Sequence, residues 1–483
     1  MRLFRDKRAC CNLRFRDNGV IMTLTTASMR RLEDDTLTIK RKIYQKMLNW
    51  KQTRKGASAL LIKGARRVGK SYVCELFGKN EYKSSLIIDF ANVSGEITNV
   101  FEHESTNLDL LFNKISTYYG VMLYKRESLI VFDEVQRYPK ARQLIKYLVA
   151  DGRYDYIETG SLITLKQNVK DIVIPSEEES IEMHPLDFEE FLWAMVDQTS
   201  SPYIRDCFEQ VRPLGQALHR KIMNDFRQYL LVGGMPQAVL EYAGSKDFAA
   251  VDLVKQRILE LYRNDISKFA GQYESRVNAI YDNIPGQLAK KEKVYNLSSI
   301  SKDARMRRYE DAFMWLCDAM IVNPCFNTTD PGIGLAMSSD NTTQKIYMAD
   351  TGLLISHAFR DNEYITNELY RAILFDKLGV NEGMIMENAV AQMLRSSGHR
   401  LFFYSRYDSN SRLNTMQIDF IIARSNKVSP IEVKSSDYRE HSSLDKYRSK
   451  FSSRLGNAYV LYQKDVMVKD GIIHFPLYMA MFL

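Results

Sequence analysis

Residues 64–71 have the types and the spacing of a phosphate-binding loop. They read, in order, Gly64, Ala65, Arg66, Arg67, Val68, Gly69, Lys70 and Ser71, which fits the pattern G-x-x-x-x-G-K-[ST]. In such a loop the backbone N–H groups surround phosphate oxygens, the lysine contacts the β- and γ-phosphates, and the hydroxyl binds Mg²⁺. We predict that all eight residues bind a nucleotide, that Lys70 is also catalytic, and that Ser71 is a ligand of Mg²⁺.

A pair of acidic residues, Asp133 and Glu134, follows the apolar run 128–132. A strand that ends in such a pair near a phosphate loop is typical of ATPases, in which the first carboxylate binds Mg²⁺ and the second polarises the attacking water. We predict these roles for the pair; a strand end followed by a surface acidic pair is the alternative. Thr159 or Ser161, at the tip of the next strand, would sense the nucleotide state. We place Ser161 among the catalytic residues, with a plain turn as the alternative.

The apolar runs around these residues predict the elements that position them. Strands are predicted at 59–62, 86–90, 128–132 and 154–158. Near-continuous apolar strands that alternate with helices indicate a parallel sheet buried on both faces, so the fold class is α/β. Because ligands bind at the carboxyl edge of such a sheet, the acidic pair should face the phosphate loop. We expect Gly78 to cap the helix that follows the loop.

A second group of residues that could do chemistry lies near the C-terminus. Asp419, Glu432 and Lys434 form a D…E-x-K array on neighbouring predicted strands, and Glu387 lies on the preceding predicted helix. Side chains alternate along a strand, so Glu432 and Lys434 point to one face. Two carboxylates can bind Mg²⁺ and a lysine can position hydroxide, as phosphodiester hydrolysis requires. We predict Asp419, Glu432 and Lys434 as catalytic, and Glu387, Asp419 and Glu432 as metal ligands; a salt-bridged sheet edge is the alternative.

Between these two groups the pattern changes to helices. Asp187 is predicted to be the N-cap residue that opens a long helical region. From residue 285 a compact unit with a helix and a strand from Ile321 fits a helix-turn-helix with a β-wing. Its basic residues would contact DNA phosphates, and a solvated helix face is an equally weighted alternative. These residues are Lys290, Lys291, Lys293, Lys302, Arg305, Arg307 and Arg308.

Composition favours a folded protein without a membrane span. Of the 483 residues 45% are hydrophobic, and no apolar run reaches the roughly 18 residues that a spanning helix requires. The six cysteines include no C-x-x-C pair, which indicates reduced thiols and a cytoplasmic location. Residues 1–70 carry nineteen Lys and Arg against five Asp and Glu, and we interpret residues 1–40 as a basic extension. Nucleic-acid binding, a transit-like segment and a misassigned start before Met22 or Met29 are alternatives.

Together these segments resemble one family, the prokaryotic AAA+ ATPases that end in a domain of unknown function with a restriction-endonuclease-like core. The resembling segments run from about residue 41 to the end: GARRVGKS (64–71), FDEVQ (132–136), TGS (159–161), PLDFEEF (185–191), GGMP (233–236), LYRNDI (261–266), YMADTGL (347–353), IDF (418–420) and IEVK (431–434). The resemblance implies a P-loop AAA+ core over 41–186, a helical lid over 187–284, a winged-helix element over 285–360 and a PD-(D/E)xK-like α/β domain over 361–483. It implies no particular substrate.

One position departs from the family pattern. Many relatives carry a Gly-Arg pair shortly after the sensor turn, where this chain reads Ile174-Pro175-Ser176-Glu177. We therefore do not expect an arginine finger from that position, and Arg263 is the substitute candidate.

Three functions are compatible with this organisation. The first is an ATP-binding, Mg²⁺-dependent AAA+ ATPase that couples its nucleotide state to a C-terminal nuclease-like module. The second is an ATP-gated DNA nuclease. The third is a nucleotide-controlled DNA- or protein-binding regulator whose nuclease-like fold is inactive. We expect ATP and Mg²⁺ as cofactors, DNA as a partner of the winged-helix and C-terminal regions, and an oligomer as a possible assembly.

Overall fold

The structure, a computed structural model, describes residues 39–483 apart from several internal segments. These segments are 162–175, 291–293, 301–304, 333, 361–366, 368–369, 372–381, 407–414, 425 and 436–441, and at 341 and 342 only the backbone is described. Almost all of the predicted N-terminal extension therefore lies outside the described residues. The same holds for Ile174, Pro175, Lys291, Lys293 and Lys302.

Five parallel strands form the sheet that carries the phosphate loop. Their order is β2-β3-β4-β1-β5. The strands are β1 (Ala59–Gly64), β2 (Ser84–Asp89), β3 (Ser128–Asp133), β4 (Asp155–Gly160) and β5 (Glu178–Met183). Every residue of β3 and β4 is buried, as inner strands of a parallel sheet with both faces covered must be. The predicted parallel sheet and α/β character of this region are confirmed.

Five helices connect or precede these strands: α1 (Ile43–Arg54), α2 (Lys70–Glu81), α3 (Gly95–His103), α4 (Leu108–Tyr119) and α5 (Pro139–Asp151). From β1 the chain passes through α2 to β2 at one edge of the sheet and returns through β3 to β4. The strand β5 then pairs with the other side of β1. The direction of strand addition therefore reverses beside β1, and such a switch point opens a crevice at the carboxyl ends of the strands.

Gly78 lies inside α2 and not at its end. The helix continues to Glu81, and a Cβ atom on Gly78 would lie 2.6 Å from the Cβ of Ser85 on β2. The missing side chain thus allows the helix to approach the strand closely. The prediction of a C-cap at Gly78 was wrong, because a lone glycine near a helix end has the same local pattern in both situations.

The helical region that follows contains α6 (Phe188–Ala194), α7 (Ser200–Glu209), α8 (Gln216–Val232), α9 (Pro236–Ser245), α10 (Phe248–Phe269) and α11 (Glu274–Ala289). Asp187 caps α6 as predicted. Its side chain accepts a hydrogen bond from Glu190 N at 3.0 Å, and the Glu190 side chain accepts one from Asp187 N at 3.2 Å. None of the described helices combines the length and apolar character needed to cross a bilayer.

An eight-stranded mixed sheet occupies the C-terminal part, in the order β12-β13-β11-β10-β9-β8-β6-β7. Its strands are β6 (Val322–Thr328), β7 (Ser339–Met348), β8 (Leu401–Arg406), β9 (Met416–Arg424), β10 (Lys427–Val433), β11 (Ala458–Tyr462), β12 (Met467–Lys469) and β13 (Ile472–Pro476). The helices around it are α12 (Met306–Asp318), α13 (Thr351–Ala358), α14 (Glu382–Ser396) and α15 (Ser442–Phe451). Because β6 pairs with β8, this sheet crosses the boundary predicted between residues 360 and 361. The hairpin predicted as a wing forms one edge of the sheet, and the winged-helix element stays a prediction.

Three segments that carry the family resemblance meet at one buried point. Leu186 N donates to Gly234 O at 2.7 Å, and Gly234 N donates to Asp350 Oδ2 at 2.5 Å. A Cβ atom on Gly234 would overlap the Leu186 backbone, and one on Gly352 would lie 2.5 Å from Val232 O. We call the point formed by Leu186, Gly234, Asp350 and Gly352 the junction. It ties the end of the parallel-sheet region to the α8–α9 turn and to α13, within the compact unit formed by residues 40–483.

Candidate functional site

The phosphate loop connects β1 to the first turn of α2. Gly69 is the N-cap residue of α2 and has a φ of 95°, in the left-handed region that favours glycine. Arg67 has a φ of 71° in the same region. Since Lys70 begins the helix, the N–H groups of the first turn have no acceptor within the helix and can donate to phosphate oxygens. The loop therefore has the strand-loop-helix context that the sequence predicts.

Arg41, a buried arginine outside the phosphate loop, holds the loop in place. Arg41 Nη1 donates to Val68 O at 2.8 Å, and Arg41 Nη2 donates to His184 O at 2.6 Å. Its Nε donates to Glu190 Oε1 at 3.2 Å, which places a salt bridge between two buried side chains. Arg41 thus links the phosphate loop to the segment that leads into α6. The sequence analysis missed it, because an arginine before a helix carries no local signal of this contact.

Lys70 is buried and faces the loop itself. Its Nζ donates to Gly64 O at 3.0 Å and to Ala65 O at 3.1 Å. Burial lowers the pKa of Lys70, and the charges of Glu134 and Asp133 only partly oppose that effect. The ammonium is therefore held by neutral carbonyl groups in a position where a phosphate would stabilise its charge. Ser71, the next residue, is exposed.

The acidic pair lies at the end of β3 and is held by Thr159. Thr159 Oγ1 donates to Asp133 Oδ1 and accepts a hydrogen bond from Glu134 N at 3.1 Å. Glu134 has a φ of 52°, and Gln136 Nε2 donates to its Oε2 at 2.5 Å. Of the two sensor candidates, Thr159 contacts the acidic pair, whereas Ser161 lines the cavity in front of it. Thr159 is thus a positioning residue that the predicted site set lacks.

One cavity of about 210 Å³ brings these groups together at the carboxyl edge of the parallel sheet. The residues that line it from the parallel-sheet region are Arg66, Lys70, Asp89, Ala91, Asp133, Glu134, Gln136, Arg137 and Ser161. The residues that line it from the opposite side are Tyr262, Asp265 and Phe269 of α10, together with Trp315, Ala319 and Ile321. The cavity is therefore closed by the helical region and by the segment that enters the second sheet.

Helix α10 contacts the phosphate loop directly. Asp265 Oδ1 accepts a hydrogen bond from Arg66 Nη1 at 2.8 Å, and Tyr262 Oη donates to Arg66 O at 3.1 Å. Burial raises the pKa of Asp265, and the charge of Arg66 offsets part of that rise. The guanidinium of Arg137 lies over the ring of Phe269 at 5.4 Å. The helix thus meets both the loop and the turn that follows the acidic pair.

The arginine finger proposed from the sequence is not at the cavity. Arg263 pairs with Asp282 and lies over the ring of Tyr281 at 5.6 Å. Residues 263 and 265 are two positions apart on a helix and face different directions, so only Asp265 faces the loop. Arg66 and Arg137 line the cavity instead. Arg137 comes three residues after Glu134, and this spacing was the available sign that it would line the cavity.

The C-terminal array assembles largely as its spacing predicts. Asp419 lies on β9 and Glu432 on β10, and Asp419 Oδ2 accepts a hydrogen bond from Val433 N at 2.9 Å. Glu432 Oε1 and Lys434 Nζ are 2.8 Å apart, which agrees with two side chains on one face of the strand. Glu387, on α14, interacts electrostatically with Asp419.

Lys345 and Tyr347 on β7 complete this cluster, and the sequence analysis missed both. Lys345 Nζ lies 2.8 Å from Glu387 Oε1 and 3.8 Å from Asp419 Oδ1. Tyr347 Oη donates a hydrogen bond to Glu387 Oε1. Burial alone would lower the pKa of Lys345, but the charges of Glu387 and Asp419 raise it above its ordinary value. Burial, followed by the charge of Glu387, raises the pKa of Asp419 to about 7.

Two of the predicted metal ligands of this cluster, Glu387 and Asp419, contact a lysine in the structure. In the described part of the chain, no group of three His, Cys, Asp or Glu side chains is arranged to bind a metal ion. The ammonium of Lys345 lies between Glu387 and Asp419, at 2.8 Å and 3.8 Å from their nearest oxygens. Glu432 Oε2 is buried and accepts no hydrogen bond from the described residues.

Comparison with protein families now adds an independent observation. Residues 57–192 match the family described as "AAA domain". Residues 223–364 and 382–479 match two families that are each described as a domain of unknown function. The search of curated proteins found no match. The AAA match covers the phosphate loop, the acidic pair and the Thr159 strand, so this part of the chain is similar to AAA domains.

Solved structures with weak similarity include three AAA+ proteins. "Thermotoga maritima RuvB Holliday junction branch migration motor" is 10% identical, with a TM-score of 0.27 over 59% of this chain and 89% of that one. "Structure of Drosophila ORC bound to DNA" is 10% identical, with a TM-score of 0.28 over 74% and 100% of the two chains. Cdc6p from Pyrobaculum aerophilum is 9% identical, with a TM-score of 0.25 over 71% and 96%.

Proposed function

We propose that this chain is a Mg²⁺-dependent ATPase that couples its nucleotide state to the C-terminal module. The observation that carries the proposal is the single cavity lined by Lys70, Asp133 and Glu134 at the carboxyl edge of the parallel sheet. A buried ammonium whose pKa is lowered by burial suits the binding of a phosphate, which would stabilise its charge. The residues present therefore fit ATP and Mg²⁺.

Each group at the cavity has a distinct task. When bound, Mg²⁺ neutralises charge on the phosphates of ATP. The first turn of α2 and Lys70 bind the phosphates, and Ser71 and Asp133 would hold the metal ion. Glu134 orients the attacking water and accepts its proton. Thr159 fixes Asp133 through its hydroxyl and Glu134 through the backbone, so both carboxylates keep one geometry.

Coupling is proposed to use the contacts that leave the phosphate loop. Arg66 is held by Asp265 and Tyr262 of α10, so a movement of the loop on binding nucleotide would change the position of that helix. Arg41 connects the loop to the segment before α6, and this segment ends in the junction at Leu186. Both routes consist of packed contacts between elements, which is what energetic coupling requires.

Titration calorimetry with Mg²⁺ and ATP tests the first part of this proposal. We expect the Lys70→Ala variant to lose at least about 100-fold in affinity, since it loses a charged contact to the phosphates. Glu134→Gln should retain binding and lose about 10²- to 10³-fold in turnover. Lys434→Ala, which removes a partly buried lysine outside the cavity, is the control and should bind ATP as the wild type does. Undiminished micromolar affinity of Lys70→Ala would end the proposal.

A second candidate function is a nucleotide-controlled DNA-binding regulator. The observation in its favour is the exposed basic start of α12, formed by Arg305, Arg307 and Arg308. Fluorescence anisotropy with duplex DNA, in ATP and in ADP, tests it. Binding that weakens steeply with salt, differs between the nucleotides and is lost when the three arginines become alanine would support it. Absence of binding at about 50 mM salt in both nucleotides would contradict it.

A further inference from the structure

The C-terminal cluster contains its own cations. Three carboxylates, those of Glu387, Asp419 and Glu432, contact two ammonium groups. Lys345 lies between the first two carboxylates, and Lys434 lies on the third. Lys434 follows the end of β10, two residues after Glu432, whereas Lys345 comes from β7, which β6, β8 and β9 separate from β10 in strand order. Its position therefore depends on the folded sheet and not on a local motif.

The ammonium of Lys345 is fixed in this position. Its side chain is only 7% exposed and lies over the ring of Phe403 at 5.5 Å. Its closest partner, Glu387 Oε1, also accepts a hydrogen bond from Tyr347 Oη. Leaving the pocket would place Glu387 and Asp419 side by side without a cation, and a pair of buried like charges is unfavourable. Lys345 is thus held in place unless another cation replaces it.

A divalent ion would have to compete with this arrangement. Mg²⁺ binds six oxygen atoms in octahedral geometry at about 2.0–2.1 Å. Asp419 Oδ2 already accepts the Val433 N–H, and Asp419 Oδ1 and Glu387 Oε1 face the ammonium. A metal ion among these oxygens would also lie a few ångströms from a positive charge in a buried environment, where repulsion is weakly screened.

We infer that Lys345 is the resident cation of the C-terminal cluster, with its ammonium in the place that a divalent metal ion takes between paired carboxylates. The C-terminal module consequently works without a divalent ion and does not hydrolyse phosphodiesters by a metal-dependent route. This inference does not depend on ATP hydrolysis at the phosphate loop. Of the two alternatives that the sequence leaves open, it favours the inactive nuclease-like fold over the ATP-gated nuclease.

Titration of the full chain with Mn²⁺, followed by electron paramagnetic resonance without nucleotide, tests the inference. Mn²⁺ is the probe because its signal reports bound and free ion directly. We expect the wild type and Asp419→Asn to bind Mn²⁺ equally weakly at this cluster, with no difference between their titrations. Lys345→Met should acquire one site per chain that tightens Mn²⁺ binding at least tenfold, since the carboxylates are then without their cation. Asp133→Asn, introduced into each of these proteins, distinguishes Mn²⁺ bound near the phosphate loop from Mn²⁺ bound at the C-terminal cluster.

Two results would overturn the inference. One is a stoichiometric Mn²⁺ site in the wild type that Asp419→Asn removes and Asp133→Asn retains. The other is a folded Lys345→Met protein, verified by circular dichroism, that gains no site. If Lys345→Met does not fold, the comparison of the wild type with Asp419→Asn still decides the question, because it uses no change at Lys345.

Discussion

The nucleotide cavity and the C-terminal carboxylate cluster both place a buried lysine near two acidic residues, yet the two lysines contact different groups. Lys70 donates to the carbonyl oxygens of Gly64 and Ala65, and the acidic pair of the cavity remains without an ammonium between its members. Lys345 lies directly between two carboxylates. The same residue types thus form a cavity that can accept a charged ligand in one region and a closed ionic cluster in the other.

The pKa shifts of the two lysines have opposite signs for this reason. Burial lowers the pKa of Lys70, because its partners are neutral and its carboxylates are too far away to compensate. Burial acts in the same direction on Lys345, but Glu387 and Asp419 more than reverse it. An added anion stabilises a buried ammonium whose charge is only partly balanced by nearby carboxylates. It does not stabilise an ammonium whose charge is already balanced.

Removing each ammonium should therefore affect stability very differently, and this is the largest effect that we expect. Lys345→Met leaves Glu387 and Asp419 buried without a cation, which should lower the free energy of unfolding by about 4 kcal/mol. Lys70→Met removes an ammonium held by neutral groups and should change it by less than about 1 kcal/mol without nucleotide. Urea denaturation at pH 7.5 compares the two variants. If the two variants lost the same free energy of unfolding, the two lysines would not differ in the way that their contacts indicate.

Substitution of Gly234 tests whether the junction joins the two regions rigidly. A Cβ atom on Gly234 would overlap the Leu186 backbone, so Gly234→Ala should lower the free energy of unfolding by about 3 kcal/mol. Gly244→Ala is the matched control, since a Cβ there has no neighbour within 4 Å among the described residues and the position lies inside α9. That change should stabilise the protein by about 0.5–1 kcal/mol.

Thermal and urea unfolding of both glycine variants provide the measurement. If the junction couples the regions, Gly234→Ala should also reduce any effect of ATP on hydrogen exchange in α13 and α14, whereas Gly244→Ala should preserve it. A Gly234→Ala protein as stable as Gly244→Ala would show that the backbone at Leu186 can move away at little cost.

The contrast between local and distant contacts also explains what the sequence could predict. The phosphate loop, the strand before it and the acidic pair after β3 are local patterns, and each was found where expected. Lys345 and Asp265 were missed because their partners are remote: Glu387 is 42 residues from Lys345, and Arg66 is 199 residues from Asp265. A lysine on a strand has the same local pattern whether it faces water or a carboxylate.

The same limit applies to the larger architecture. The strands and helices on either side of residue 360 were predicted, but not that β6 would pair with β8 and continue one sheet across that position. Pairing of strands so far apart depends on packing that a single sequence does not display. Likewise, the GGMP and DTG segments could be recognised as resembling a family, while their contact through Gly234 N and Asp350 Oδ2 required the fold.

A third buried lysine, Lys255, allows the comparison to be tested by varying the pH. Lys255 donates to Leu231 O at 2.7 Å and Gly352 O at 3.3 Å, and its Nζ lies 3.9 Å from Asp252 Oδ1. Burial lowers its pKa to about 8, and the charge of Asp252 only partly opposes that effect. Between pH 8 and about 10.5 the unfolded chain binds more protons at this site than the folded chain, so its contribution makes stability rise with pH. Relative to Lys255→Met, the wild type should gain about 2 kcal/mol across that range.

Urea denaturation at several pH values, with the Lys255→Met curve subtracted, isolates this contribution from the tyrosines, which both proteins share. A difference that stays flat, or that falls as the pH rises, would show that Lys255 is compensated in the way proposed for Lys345. The distinction between lysines on carbonyls and lysines on carboxylates would then lose its energetic basis.

The smallest expected effect concerns the carboxylate that α10 contributes to the nucleotide cavity. Asp265 pairs with Arg66 while both side chains remain partly exposed, so the pair should stabilise the fold by no more than about 1 kcal/mol. Asp265→Asn removes a negative charge from the cavity and releases Arg66, so ATP should bind about two- to fivefold more tightly at low salt. Asp282→Asn, which disturbs the Arg263 pair outside the cavity, should leave the affinity unchanged. The gain should shrink in about 1 M salt, because surface charges are then screened within about 3 Å. A tenfold loss of affinity would instead mean that Asp265 helps to bind the nucleotide, and that the cavity, like the C-terminal cluster, depends on a lysine- or arginine-paired carboxylate for its geometry.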